Sequence, residues 1–183
     1  MQHLLQPVAR GSVKLLPSIF QQRADLNRSY MLSLKTENLL QNHYMEAGLW
    51  GPRYYTGDIH LGWEAPTCQL RGHFLGHWLS AAASLAANTG DQEIKGKADY
   101  IIGELARCQQ ENGGEWVGSI PEKYLDWVAR GKRVWAPQYT LCLLYTSRSP
   151  SWCKTAGAGL SPTSCSAHSR PSTAWMRLSL IHI

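Results

Sequence analysis

Two apolar-periodic segments, 69–87 and 92–110, are separated only by Asn88, Thr89, Gly90 and Asp91. In the first, Leu70, Phe74, Trp78, Ala81 and Leu85 recur at helical spacing, and the run turns alanine-rich toward its end. In the second, Asp91 is placed to cap the helix, Ile94, Ala98, Ile101, Ile102 and Leu105 form an apolar stripe, and Asn112-Gly113-Gly114 ends it. Two amphipathic helices joined by so short a link must pack side by side and antiparallel. A chain of such hairpins builds a bundle, a solenoid or a closed toroid, so the class is all-α. A solenoid requires an internal repeat, and these helices share no common motif or fixed period.

The flanking segments extend this reading. Residues 19–34 carry Phe20, Leu26, Tyr30, Met31 and Leu34 near helical spacing, with Arg23, Asp25 and Arg28 between them. A second helix follows, with Thr36 as its cap, Leu39, Leu40 and Tyr44 as its apolar face, and Gly48 at its end. Leu4 to Leu15 reads as a short strand or extended arm. The loop 51–67 concentrates Tyr54, Tyr55, His60, Trp63 and Glu64 among glycines and prolines, more aromatic surface than a connection needs to turn the chain. Residues 116–121 look extended, 122–129 form a turn or two of helix, and Trp135-Ala136-Pro137 marks the start of a further helix.

Charge divides the chain. Arg148, Lys154, Arg170 and Arg177 lie after Leu141, whereas all 13 Asp and Glu precede it, so the net charge of +5 belongs almost entirely to residues 142–183. Residues 1–141 are nearly neutral, with both signs scattered, which argues against a nucleic-acid face. The tail, 142–183, is rich in Ser, Arg, Pro and Thr and loses all periodicity inside the helix announced at Trp135. A disordered basic tail has this composition. The abrupt switch, and the Trp152, Trp175 and Cys residues that linkers avoid, favour instead a shifted or chimeric reading frame. Cys68 and Cys108 precede this point and Cys142, Cys153 and Cys165 follow it, with no spacing that suggests a metal ribbon or disulfide framework, so reduced buried thiols are expected. The polar start Gln2-His3 and the absence of a long apolar run point to a soluble, cytoplasmic chain without membrane association.

The densest constellation is Trp63-Glu64-Ala65-Pro66 followed by Leu70-Arg71-Gly72-His73-Phe74-Leu75-Gly76-His77-Trp78-Leu79-Ser80-Ala81. On a helix, His73 and His77 share a face, with Gly72 and Gly76 on the neighbouring strip. Each glycine within a helix costs about 1 kcal/mol relative to alanine, so close backbone approach or room for a ligand is implied. The histidine pair is open to metal ligation, to hydrogen bonding with a polar substrate, or to packing. Zinc wants a third ligand, and the zinc motif of this spacing places Glu beside the first His, where Phe74 stands here. Glu64 and Arg71 read as an ion pair or cap, or as groups that grip sugar hydroxyls. Trp63, Trp78, Trp116 and Trp135 read as core or as platforms for sugar rings.

These residues, with Thr89-Gly90-Asp91, Cys108-Gln109 and Val134-Trp135-Ala136-Pro137-Gln138-Tyr139, resemble the amino-terminal region of glycoside hydrolase family 127 and its near relatives. The likeness runs from about Pro7 to Leu141. It implies an (α/α)6 toroid, of which 1–141 would be the amino-terminal part, holding a terminal β-L-arabinofuranose or similar sugar of plant-type glycans. It further implies a zinc-held cysteine thiolate as nucleophile and a glutamate as acid/base in the full-length relative, in place of the usual carboxylate pair. No residue here matches those groups, so the chain is expected to lack the catalytic half and to be inactive by itself. The family's pattern also expects a histidine just after Tyr139-Thr140-Leu141, where Cys142 stands. Glu64, Arg71, His73, His77, Trp135 and Tyr139 are carried over as the substrate-binding set, with no catalytic residue and no metal ligand assigned. The competing readings are a non-catalytic carbohydrate-binding module and a helical scaffold for a protein partner.

Overall fold

The computed structural model describes residues 8–9, 11–49 and 58–146; side chains are described as far as Leu141. Among these residues there are six helices and no strand: α1 (Ile19–Ser33), α2 (Thr36–Glu46), α3 (His73–Thr89), α4 (Gln92–Glu111), α5 (Lys123–Ala129) and α6 (Pro137–Thr146), with a single 3-10 turn at Gly62–Glu64. The all-α expectation holds. None of these helices is long and apolar enough to cross a membrane.

The α3–α4 hairpin is the centre of the fold, as the short link required. Gly90 ends α3 in the left-handed conformation (φ +73°), which costs glycine nothing. Asp91 then accepts from the amides of Glu93 (3.0 Å) and Ile94 (3.1 Å), satisfying two of the unpaired donors at the start of α4. Asp91 also pairs with Arg28, which ties α1 to the hairpin. On α4 most of the foreseen stripe is buried: Ile94, Ala98 and Ile101 are wholly enclosed and Leu105 nearly so, while Ile102 is only partly buried at the edge of the core. At roughly 2 kcal/mol for each fully buried aliphatic side chain, this stripe alone outweighs any single capping interaction. α3 packs against α6, α4 and α2, and α2 lies against α4.

Four expectations are corrected. The first helix of the hairpin begins at His73, because 69–72 form turns, so Gly72 is its non-helical cap at φ +86° rather than a helical glycine. Its buried face is Leu75, Trp78, Leu79, Ala82 and Ala83, while Ala81 is exposed, because α6, α4 and α2 together decide which flank of α3 is covered. Thr36 is the first residue of α2, and Lys35 occupies the cap without a side-chain bond. Val8, Val13 and Leu15 are exposed and outside any strand, and the remainder of the anticipated arm, 4–7 and 10, lies outside the described residues. The irregular segment 115–121 is largely buried through Trp116, Val117, Ser119 and Ile120, with the Trp116 indole donating to the Ile120 carbonyl at 3.0 Å. α6 starts at Pro137, whose missing N–H is harmless at that position, and runs past Leu141 to Thr146. Tyr54, Tyr55 and residues 147–183 lie outside the described residues, whereas the point at which the change of frame is suspected, about Cys142, falls inside α6, whose backbone stays helical to Thr146.

Candidate functional site

The site is built at the N-terminus of α3, where two polar residues of α2 hold the preceding loop. Gln41 is 1% exposed; its amide donates to the carbonyls of His60 and Glu64, both at 2.8 Å, and its oxygen accepts from the His60 amide at 2.9 Å. Asn42, equally buried, donates to the Glu64 carbonyl at 2.9 Å. Backbone groups that α2 could not otherwise reach are thereby satisfied, and the 3-10 turn carrying Trp63 and Glu64 is fixed.

Glu64 occupies the end of α3. Its Oε2 accepts from the Gly72 amide at 2.7 Å and its Oε1 from the Phe74 amide at 3.0 Å, so the carboxylate caps the helix at the positive end of its dipole. The capping role foreseen for Glu64 is thus present, but its pairing with Arg71 is not. Arg71 is buried, donates to the Cys68 carbonyl at 3.2 Å and lies 3.5 Å from Glu46. Burial pushes the Glu46 carboxyl up, and the Arg71 and Lys123 charges pull it back. Gly72 is required twice over. Its positive φ disfavours any side chain, and a Cβ there would fall 2.0 Å from Ser119 Oγ, which itself donates to the Arg71 carbonyl at 2.8 Å.

The cap brings the ring of His73 to the floor of an aromatic cluster. The His73 ring lies 5.9 Å from the Trp63 ring, 5.8 Å from that of His77 and 6.3 Å from that of Tyr139, and Trp63 meets Trp135 edge-on at 6.4 Å. His73 is 9% exposed, whereas Trp63 (63%), Trp135 (51%) and Tyr139 (51%) are open to solvent, as is His77. Trp135 is presented by a strained junction: Ala136 takes φ +48° immediately before Pro137, and Gln69 accepts from the Trp135 amide at 2.8 Å. Of the six anticipated residues, His73, His77, Trp135 and Tyr139 come together, Glu64 lies directly beneath them, and Arg71 is held apart by Cys68 and Glu46. Sequence reasoning missed Gln41, Asn42 and Ser119. The signal was faint: Gln41-Asn42-His43 is a polar run between the apolar Leu40 and Tyr44, on a helix buried on both sides.

Flat, half-exposed rings around a recessed imidazole suit a ligand with an apolar face and a rim of hydroxyls, which is the chemistry of a furanose or pyranose. The described residues do not fit the zinc that the family resemblance implies. No group of three or more His, Cys, Asp or Glu gathers among them to hold a metal. Cys108 is wholly buried in the core, and burial pushes its thiol up to about 12.

The family model for the β-L-arabinofuranosidase GH127 catalytic domain matches residues 12–149. No individual curated protein matches the chain. The matched span takes in every described helix and the whole aromatic site, so the chain belongs to the glycoside hydrolase family 127 of β-L-arabinofuranosidase-like catalytic domains.

Proposed function

We propose that the chain supplies the sugar-binding part of a glycoside hydrolase that removes terminal β-L-arabinofuranose, or a closely similar sugar, from plant-type glycans. The observation that carries this reading is the gathering of His73, His77, Tyr139, Trp63 and Trp135 around one recessed ring. The indoles would stack on the apolar face of the sugar, and the imidazoles would accept and donate to its hydroxyls. In this reading α1 to α6 are consecutive hairpins of an (α/α)6 toroid whose hollow the cluster faces. The zinc-held thiolate and the glutamate acid/base belong to parts of the catalytic domain with no counterpart among these residues, and the chain alone binds without cleaving. A cytoplasmic location accords with the free thiols of Cys68, half-buried, and Cys108, buried.

Titrating the chain with L-arabinose while following tryptophan fluorescence tests this. Saturable binding in the millimolar range is expected, weakened about fivefold in Trp135→Ala, since one stacked ring is worth about 1 kcal/mol. No release of 4-nitrophenol from 4-nitrophenyl β-L-arabinofuranoside is expected. An unaltered titration in Trp135→Ala and in Tyr139→Ala would remove the site from consideration.

A further inference from the structure

We propose that Glu64 is a positioning residue that fixes the tautomer of His73, so that His73 offers an unprotonated Nε2 to the ligand. This deepens the sugar-site reading and rests on it. The sequence offered Glu64 as a group to grip sugar hydroxyls, but the structure leaves its carboxylate no capacity to do so. Oε2 accepts from the Gly72 amide at 2.7 Å and from Asn42 Nδ2 at 3.3 Å; Oε1 accepts from the Phe74 amide at 3.0 Å and lies 2.8 Å from His73 Nδ1. The side chain is 12% exposed. An ionised carboxylate has only acceptor sites, and three of them are engaged by N–H donors.

The fourth contact determines the imidazole. Two lone pairs 2.8 Å apart repel, so a proton on Nδ1 is the arrangement that suits Oε1. The ring is not turned into hydrogen-bond alignment with that oxygen, and among the described residues Nδ1 has no other partner, so Glu64 is the acceptor within its reach. With Nδ1 protonated in the neutral ring, Nε2 carries the lone pair and accepts from a hydroxyl. The same division of labour recurs where a carboxylate orients a functional histidine through its remote nitrogen. Glu64 thus acts through His73 rather than on the sugar.

Glu64→Gln probes this role through the tautomer, which capping does not move, although the variant also gives up the cap bond from the Phe74 amide to Oε1. The single amide oxygen best replaces Oε2, where two donors converge, which turns the amide NH2 toward His73 Nδ1. The variant should therefore invert the tautomer to a protonated Nε2, and, where the sugar hydroxyl is held as the donor, weaken L-arabinose binding about tenfold.

The experiment is 15N imidazole spectroscopy of the full 183-residue chain, with the His73 signals assigned through their loss in His73→Gln. In the unmodified chain the neutral ring should show a protonated Nδ1 and an unprotonated Nε2, which needs no variant to fold. A protonated Nε2 in the unmodified chain overturns the proposal. So does a Glu64→Gln chain that loses stability while keeping the original tautomer, since capping would then be the whole role. If the tautomer is as stated but added L-arabinose perturbs neither His73 nor Trp135, the positioning by Glu64 stands and the sugar-site reading falls.

Discussion

Gly72 and His43 show how much one position carries. Replacing Gly72 by Ala places a Cβ on Ser119 Oγ in a backbone region that L side chains avoid, and we expect a loss of about 3 kcal/mol in chemical denaturation. Removing the Ser119 side chain as well should restore about 2 kcal/mol relative to the sum of the two single changes, because only the backbone strain then remains. Additive losses would show that the clash is relieved elsewhere. His43 is fully enclosed, and burial pushes its imidazole down to about 3 from 6.5. Below pH 6.5 the unfolded chain therefore takes up a proton that the folded chain refuses, so stability falls as pH falls. The slope should reach about 1.4 kcal/mol per pH unit. Urea midpoints measured between pH 7 and 4.5 should show this slope, and His43→Gln should flatten it. Neither feature was legible in sequence, where His43 is one polar letter in a helix and Gly72 appeared to be helical.

At the scale of elements, the hairpin was the most legible part of the chain. Its two stripes, its turn glycine and its cap are local signals, and Asp91 fulfils the role foreseen for it. Asp91→Ala should lower stability by about 1–2 kcal/mol, while Asp91→Asn keeps most of it, since either side chain can accept from the Glu93 and Ile94 amides. The ion pair with Arg28 adds little to this, because Arg28 is 37% exposed. Equal losses in both variants, read from denaturation midpoints, would instead place the stabilising role in the ion pair. The start of α3 was misjudged by four residues because Leu70 continues the apolar period, although its own carbonyl accepts from Thr140 Oγ1 at 3.2 Å. Gly72 at φ +86° interrupts the run and Glu64 takes the Gly72 and Phe74 amides, so groups outside the periodic pattern decide where that helix begins.

Across the molecule, burial is uneven. α2, α3, α4 and α6 share the core, but α1 buries only Met31 and leaves Ile19, Phe20, Leu26 and Tyr30 more than half exposed beside Leu15 and Leu16. Contiguous apolar surface of this kind drives association. Sedimentation velocity across a concentration series should show the chain self-associating, and Leu26→Glu together with Phe20→Ser should shift it toward monomer. A chain that stays monomeric at every concentration would show that this face is tolerated in water.

The sequence by itself determined the helical class, the α3–α4 hairpin and the family. Each of these is written in spacings that span no more than a few turns of chain or in motifs read in order. It also singled out His73, His77, Trp135 and Tyr139, whose rings the fold gathers with Trp63. Only the tertiary structure decided what each of them does there. Glu64 turns away from solvent to cap α3 because Gly72 and Phe74 present unpaired amides to it, and Arg71 is drawn to Cys68 and Glu46 instead of to the aromatic cluster. The physical reason is that a polar side chain near a helix end goes to the nearest unsatisfied group, and which groups remain unsatisfied depends on how distant elements pack.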